Sequence, residues 1–241
     1  DYEMVNMMLR DPFEGNSLFA KIVNLWFINS PPCEAHRNRI KHLVKRLAEE
    51  TQRVAREKRR LRVLDMACGP AKEVQNFLSQ DELCDQVDFT LFDFNDETLE
   101  YTGRTLEGIK KDRGRRATVN MVKRSVNHIL KEAFKASAQP VGEYDFIYCA
   151  GLFDYLEDRI CRKMMDYFYD CLAPGGLLLA TNVTPTNPLI TTMESFMEWH
   201  LIYRDREQMK VLKPEPAPEE STRVIVEETG INIFIEVRKA P

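Results

Sequence analysis

The chain has 241 residues, of which 44% are hydrophobic and 30% are charged, a composition that suits one large α/β domain with its own core. Its net charge of −4 gives no general attraction to nucleic acid or to an anionic membrane, so we expect no nucleic-acid partner. No apolar run approaches the length of a membrane span or of a signal-peptide core, which predicts no stable membrane insertion.

Six cysteines are scattered along the chain, and none of them forms a Cys-x-x-Cys pair. The four histidines do not lie beside them at the spacing of metal ligands, so we expect no metal site. Reduced cysteines in apolar surroundings behave as small hydrophobic residues, and this usage predicts a reducing, cytoplasmic location. The chain opens at Asp1 rather than at a methionine, so a further domain before it is an open expectation.

Residues 1–60 are predicted to form a helical extension. Two apolar stripes recur there at helical spacing, the first at Leu18, Ile22, Leu25 and Trp26, the second at Ile40, Leu43, Val44, Leu47 and Val54. Between them, Ser30 and the two prolines after it end one helix and begin the next. We expect this extension to close over a substrate as a lid, with an inert packing layer or a homodimer surface as alternatives.

From residue 61 to the end, short apolar runs alternate with amphipathic segments. The predicted strands are residues 61–66, 89–92, 117–122, 144–149, 177–180, 223–227 and 231–237. Helices are predicted at residues 72–78, after a cap at Asn95, and through Met164, Phe168 and Leu172 up to Pro174-Gly175-Gly176. Strands that alternate with helices predict a parallel sheet, whereas the three-residue link 228–230 permits only an antiparallel pair.

These elements predict an α/β fold of the doubly wound, Rossmann-like class. Its seven-stranded sheet is expected to be mostly parallel and to end in an antiparallel hairpin, over residues 61–241. In such a sheet, ligands bind beyond the carboxyl ends of the strands, near the point where the strand order reverses. The cofactor-binding residues should therefore follow the first four strands.

The first strand ends in the segment Asp65-Met66-Ala67-Cys68-Gly69-Pro70-Ala71. Small residues at alternate positions let the backbone approach a ligand closely. A dinucleotide site would need more glycines to surround a pyrophosphate, and here the strand ends in a carboxylate instead. The loop therefore favours a cationic amino acid group over a diphosphate. Taken alone, Asp65 could cap the next helix and Gly69 could mark any turn.

Later strand ends add further candidate residues. Asp93 ends the second strand and is placed to accept hydrogen bonds from both hydroxyls of a ribose, although a single strand-end carboxylate is also ordinary. Ser125 and Val126 follow the third strand, near where an adenine ring would lie. After the fourth strand, Cys149-Ala150-Gly151 again lets a ligand approach the backbone, with Cys149 more typical of packing than of a nucleophile.

Residues 61–237 resemble a class I S-adenosylmethionine-dependent methyltransferase. The spacing Asp65-x-Ala67-x-Gly69-x-Ala71 stands where that family carries its acidic-x-Gly-x-Gly-x-Gly loop, with two of the three glycines replaced by alanine. Residues 145–155 resemble the segment that faces the transferred methyl group, residues 172–176 the turn before the fifth strand, and the final hairpin is the ending of this fold. The resemblance implies S-adenosylmethionine as cofactor, S-adenosylhomocysteine as product, and these cofactor-binding residues: Asp65, Ala67, Gly69, Asp93, Phe94, Ser125, Val126, Cys149 and Gly151.

Three shorter segments, residues 35–40, 151–156 and 198–204, resemble bacterial proteins that make 3-hydroxy fatty acid methyl esters as quorum signals. This narrower resemblance implies a carboxyl O-methyltransferase that acts on a lipid-like acid. In some relatives the catalytic region follows a cyclic-nucleotide-binding-like domain.

The acceptor side is predicted to lie after the fifth strand. A carboxylate acceptor needs orientation rather than a base, and Arg204, His200 and Tyr203 are candidates for that role. For a hydroxyl acceptor, His200 or Asp154 would serve as general base. The alternative for residues 199–204 is an amphipathic helix with an aromatic core face. At the level of function, the alternatives are another small-molecule O-, N- or C-methyltransferase, an oxidoreductase, which the glycine-poor loop disfavours, and a non-catalytic cofactor-binding sensor.

Overall fold

The computed structural model describes residues 2–133 and 143–241 of the chain. Its strands form one seven-stranded sheet in the order β3-β2-β1-β4-β5-β7-β6. The strands are β1 (Leu61–Met66), β2 (Val87–Asp93), β3 (Thr118–Lys123), β4 (Tyr144–Cys149), β5 (Leu172–Val183), β6 (Thr222–Val226) and β7 (Asn232–Arg238). All pairs are parallel except those of β7, which runs antiparallel to β5 and β6. The predicted fold class is confirmed.

Helices cover both faces of the sheet, as the alternation of strands and helices predicted. The described helices are α1 (Tyr2–Met7), α2 (Leu18–Ile28), α3 (Pro31–Ala55), α4 (Lys72–Gln80), α5 (Asp96–Arg113), α6 (Val126–Ala133), α7 (Asp158–Cys171), α8 (Ile190–Met197) and α9 (Arg206–Lys210). One apolar core joins α3, α4 and α5 to the sheet, and a second joins α6, α7 and α9 to the opposite face. Among residues 2–133 and 143–241, no helix is both long enough and apolar enough to span a membrane.

Successive residues of β1 point to opposite faces, and this alternation decides which side chains can meet. Val63 belongs to the core under α3 and α4, whereas Leu64 and Met66 belong to the core under α7. Asp65 pairs in register with Tyr148 of β4. Their side chains therefore lie on the α3 and α4 face, next to each other.

The fifth strand begins at Leu172 rather than at the predicted residue 177, because Leu172 already pairs with Tyr144. The register then shifts before the next pair, so the Pro-Gly-Gly segment lies within an irregular strand rather than in a turn before it. A Cβ on Gly176 would lie 2.9 Å from the carbonyl oxygen of Ala173. Only glycine fits this irregularity without moving the backbone.

In the predicted extension, α3 begins at Pro31 after Ser30, as expected, and its stripe at Leu43, Leu47 and Val54 is buried. The helix α3 packs against β1, β4 and β7, so it covers the sheet. By contrast, α2 exposes most of its apolar side chains, Trp26 included. A domain boundary at residue 60 and a lid made of residues 1–60 stay predictions.

Ion pairs fix α3 to the last strand. The carboxylate of Glu236 on β7 is buried and accepts hydrogen bonds from His42 Nε2 at 2.8 Å and from Arg46 Nε at 2.7 Å and Nη2 at 2.8 Å. Glu50 on α3 accepts hydrogen bonds from Arg238 on β7. Burial alone would raise the pKa of Glu236, but the donors His42 and Arg46 outweigh it and lower this pKa below its usual value.

We predict that Glu236→Ala lowers the free energy of unfolding by about 3 kcal/mol at neutral pH, because it leaves Arg46 and His42 without their buried partner. A carboxyl with a lowered pKa stabilises the folded state above its unfolded pKa and loses that effect as the pH falls. The difference between wild type and variant should therefore shrink in urea unfolding at acidic pH. Glu107→Ala, which removes an exposed pair with Lys110, is the control and should cost less than about 1 kcal/mol. Equal losses in the two variants would contradict a stabilising role for the ion pairs between α3 and β7.

Candidate functional site

The loop after β1 has an unusual backbone. Ala67, Gly69 and Ala71 have φ angles of 58°, 51° and 47°, all in the left-handed region that favours glycine. The Gly69 amide donates to Asp93 Oδ2 at 3.0 Å, and Thr102 Oγ1 donates to the Gly69 carbonyl at 2.7 Å. A Cβ on Gly69 would meet no atom within 4 Å, so this loop turns an open backbone surface outward. The alternating small residues therefore suit both the left-handed backbone conformation and the close approach of a ligand to the backbone.

Asp93 lies buried at the end of β2. Besides the bond from Gly69, its Oδ1 accepts a hydrogen bond from the Asn95 amide at 3.0 Å. Asn95 in turn caps α5, as predicted, by accepting from the amides of Glu97 and Thr98. The Asp93 carboxylate is thus held by two backbone amides at the edge of a cavity, with lone pairs left for a ligand.

A second carboxyl group lies buried beside Asp65. Glu73 belongs to the first turn of α4, and its Oε1 accepts a hydrogen bond from Tyr148 Oη at 2.9 Å. Among the described residues, Asp65 Oδ2 is buried without a hydrogen-bond partner. Burial raises the pKa of both carboxyls, and the negative charge of Glu73 raises that of Asp65 further.

Two polar residues of α3 reach the same region. Arg39 Nη2 donates to His36 Nδ1 at 2.9 Å, and Arg39 Nη1 lies beneath Gly151, 3.1 Å from where a Cβ would be. Burial, together with Arg39 and Arg37, lowers the pKa of His36 well below its usual value, so the imidazole is neutral. Because Nδ1 must accept from the guanidinium, Nε2 carries the hydrogen, and it has no partner in the part of the chain described.

These groups border a cavity of about 520 Å³ at the carboxyl ends of the strands. A smaller cavity of about 80 Å³ adjoins it between α3, the loop after β1 and α4, and is lined by Asp65, Glu73, His36 and Arg39 among others. The rest of the large cavity is mainly apolar, with a wall that comprises Trp26, Phe27, Leu189, Met193, Met197, Trp199 and Leu201.

The structure brings together about half of the predicted site residues. Ala67, Gly69, Asp93, Phe94, Gly151 and Asp154 line the large cavity, and Asp65 lines the small one. Ser125, Val126, Cys149, His200, Tyr203 and Arg204 line neither. Ser125 is exposed and caps α6 through the amide of His128. The Cys149 side chain points to the α7 face, where it is fully buried in the core.

The predicted site residues include neither His36 nor Arg39, although both lie within residues 35–40, one of the segments that carry the narrower resemblance. A usable signal was present for His36, because it lies one turn before Ile40 on the stripe that α3 buries. For Arg39, on a helix with many other basic residues, hydrophobic periodicity gave no indication that the side chain would face the cavity.

The segment after α8 is not the amphipathic helix considered for residues 199–204. Glu198 has a φ of 49° and ends α8 at Met197. The chain then runs extended to residue 205, so Trp199 and Leu201 face the cavity while His200 is exposed. The Trp199 indole donates to Tyr155 Oη at 2.7 Å.

Arg204 is buried, which corrects the expectation that it orients an acceptor. Its Nε donates to Asp158, its Nη1 to the Phe153 carbonyl at 2.7 Å and to Asn182 Oδ1 at 2.6 Å, and its Nη2 to the Leu156 carbonyl at 2.5 Å. Its Nη2 also pairs with Asp158 at 2.8 Å. All five N–H groups of the guanidinium are therefore used inside the protein, and Arg204 holds the turn that carries Asp154.

Asp154 is the one predicted catalytic residue that reaches the cavity. It lies in the turn Phe153–Tyr155 after β4, and its Oδ1 accepts a hydrogen bond from the Val183 amide at 2.7 Å. Burial raises the pKa of Asp154 to about 6, against the lowering effects of the Val183 amide, Arg39 and Arg204. This carboxyl is ionised at neutral pH but is poised to take up a proton.

We predict that Arg204→Ala lowers the free energy of unfolding by about 3–5 kcal/mol, because it leaves two buried carbonyls and Asn182 without their donor. Arg104→Ala on α5 removes an exposed pair with Glu100 and should change stability by less than about 1 kcal/mol. Chemical denaturation of both variants measures the difference. A loss below about 1 kcal/mol for Arg204→Ala would contradict the positioning role.

Comparisons with known proteins agree with this geometry. The model of a methyltransferase domain family matches residues 34–232. Among curated proteins, none matches the chain significantly. Solved structures resemble it at low sequence identity, so their likeness concerns the fold alone.

A possible exported protein from Bordetella parapertussis is 18% identical, with a TM-score of 0.72 over 100% of this chain and 80% of its own. Magnesium protoporphyrin IX methyltransferase from Synechocystis PCC 6803, crystallised with SAH, is 10% identical, with a TM-score of 0.60 and coverages of 99% and 95%. The N-methyltransferase NodS from Bradyrhizobium japonicum WM9, also in complex with SAH, is 12% identical, with a TM-score of 0.51 and coverages of 100% and 98%. Since the family model spans most of the sequence, the chain belongs to the methyltransferase domain family.

Proposed function

We propose that the chain binds S-adenosylmethionine and transfers its methyl group to a small-molecule acceptor with an apolar body. The observation that carries the proposal is the set of buried polar groups that lack partners at the edge of an otherwise apolar cavity. Asp65 Oδ2 and His36 Nε2 have none among the described residues, and Arg39 makes a hydrogen bond to His36. Burying such groups costs free energy unless a ligand supplies the missing hydrogen bonds.

The residues present fit the cofactor. Asp65 would accept the ammonium group of its amino acid moiety, Arg39 would donate to the carboxylate, and Asp93 would accept from the ribose hydroxyls. The exposed backbone at Gly69 leaves room for close approach. When bound, S-adenosylmethionine supplies a methyl group that is already activated by its sulfonium. The protein then needs to align the acceptor and exclude water.

The acceptor region supports a molecule with an apolar body. Its wall consists of Met193 and Met197 from α8, Trp199 and Leu201 from the extended segment, and Phe27 from α2. Methionine and aromatic side chains bind apolar groups of varied shape. Among the polar groups that line this cavity, Asp154 and the Nε2–H of His36 are our candidates for contact with the reacting end of the acceptor.

Our specific candidate for the methyl acceptor is the carboxylate of a 3-hydroxy fatty acid. A carboxylate acceptor needs no general base, and the Nε2–H of neutral His36 offers it a hydrogen-bond donor. The competing acceptor is a hydroxyl group, for which Asp154 would serve as general base, since its raised pKa brings it closer to neutral pH. The two candidates differ in whether ionised Asp154 is required for turnover.

We predict that S-adenosylhomocysteine at about a hundred times its Kd adds roughly 2.7 kcal/mol to the free energy of unfolding, measured by ligand-dependent melting. Asp93→Asn should weaken binding of this ligand at least tenfold. A carboxylate has two acceptor oxygens for the two ribose hydroxyls, whereas an amide has one. Asp112→Asn on α5 is exposed and should leave the affinity unchanged. Stabilisation by NADH without any by S-adenosylhomocysteine would contradict the proposal.

For the acceptor, we predict transfer of labelled methyl groups to 3-hydroxy fatty acids, with an unchanged turnover number in Asp154→Asn. If the acceptor is a hydroxyl group, the turnover number should instead fall at least about 100-fold in this variant. The wild-type rate should then rise with pH through about 6 as Asp154 ionises. Label that appears only in polar amines would end the fatty-acid candidate. Binding of the cofactor with no transfer to lipid or polar extracts would favour the sensor.

A further inference from the structure

The pair of buried carboxyls in the small cavity has a role that cofactor binding alone does not require. Asp65 ends β1 and Glu73 begins α4, and both are more than nine-tenths buried. Both line the small cavity, and Tyr148, which donates to Glu73, is the residue that pairs in register with Asp65. Two ionised carboxylates that share one desolvated cavity repel each other, and a single proton held by the pair removes that repulsion.

Tyr148 favours the ionised form of both carboxyls, but its hydrogen bond is made to Glu73. Tyr148 Oη donates to Glu73 Oε1, and the positive charge of Arg39 also favours ionised Glu73. Arg39 is shared with Asp154, whose charge it also offsets. Asp65 Oδ2 has no hydrogen-bond partner among the described residues. Local charge thus stabilises one ionised carboxylate in this pair and not a second one.

We propose that Asp65 and Glu73 hold one proton between them in the ligand-free protein, and that an ammonium group binding at Asp65 displaces this proton into solvent. The pair then goes from one negative charge to two, and the incoming ammonium supplies the compensating positive charge. Glu73 is in this role a positioning residue, since it acts through Asp65. The inference rests on the proposed function, because it takes the amino acid moiety of the cofactor as the source of the ammonium.

Other titratable groups around the pair do not replace the proton. Those that face it are His36 and Arg39 from α3, Lys72 from α4, Asp93 from β2, Tyr148 from β4, and Cys68 from the loop. His36 is neutral because of its lowered pKa, and Lys72 Nζ donates to Gln75. Asp93 adds negative charge, which favours the protonated pair.

Calorimetry of S-adenosylhomocysteine binding in two buffers with different ionisation enthalpies counts the protons released. At about pH 6.5 the amine of the ligand is charged, since α-amino groups titrate near 7.7–8.0. We expect the wild type to release more than about half a proton per site, and Glu73→Gln to release less than about 0.2. Glu107→Gln, an exposed glutamate on α5, should behave as the wild type does.

A second ligand tests the same point without any substitution. 5′-Methylthioadenosine retains the nucleoside and lacks the amino acid moiety, so its binding to the wild type should release no proton. Proton release that is equal for the two ligands, or absent for both, would overturn the shared proton while leaving the proposed cofactor intact. If folded wild-type protein bound neither ligand, the proposed function itself would fail, and the shared proton with it.

Discussion

Burial of negative charge at the ends of β1 and β2 is the constraint on which the rest of the site depends. Asp65, Glu73 and Asp93 are each nearly inaccessible to solvent, and burying a carboxylate without a partner costs several kcal/mol. Backbone amides hold Asp93, and Tyr148 and Arg39 stabilise ionised Glu73, whereas Asp65 Oδ2 has no hydrogen-bond partner among the described residues. The site is thus organised around charge that the protein only partly neutralises.

This constraint explains why α3 is fixed so firmly. Its inner side supplies His36 and Arg39 to the cavity, and its outer turns are joined to β7 through Glu236 and Glu50. A helix free to move would remove the guanidinium from the buried carboxyls. The ion pairs between α3 and the last strand therefore contribute to the electrostatics of a site that forms at the first strand.

The acceptor side depends on a different interaction, the burial of Arg204. By donating to the carbonyls around Asp154 and to Asn182, this residue fixes the turn after β4 against β5. The extended segment that precedes it then places Trp199 and Leu201 in the cavity wall. A charged side chain here shapes an apolar pocket without touching it.

Local patterns in the sequence were sufficient for the sheet, for Asn95 as a helix cap and for the cofactor loop. Hydrophobic periodicity and a three-residue hairpin link are properties of neighbouring residues, so they are readable without the fold. The same holds for Asp65, Gly69 and Asp93, because the end of a parallel strand is where such a sheet binds ligands.

The sequence by itself therefore determined the fold class and the loops after β1, β2 and β4 as cavity-facing, whereas Ser125 and Val126 after β3 line neither cavity. Only the tertiary structure decided which side of a strand or segment each residue occupies. Cys149 and His200 turn away from the cavity because alternate residues of extended backbone point in opposite directions, and the register depends on distant partners. Arg39 and Glu73 line the site although they were not predicted there, and Arg204 was predicted there but does not line it. The position of each buried charge depends on contacts between elements far apart in sequence.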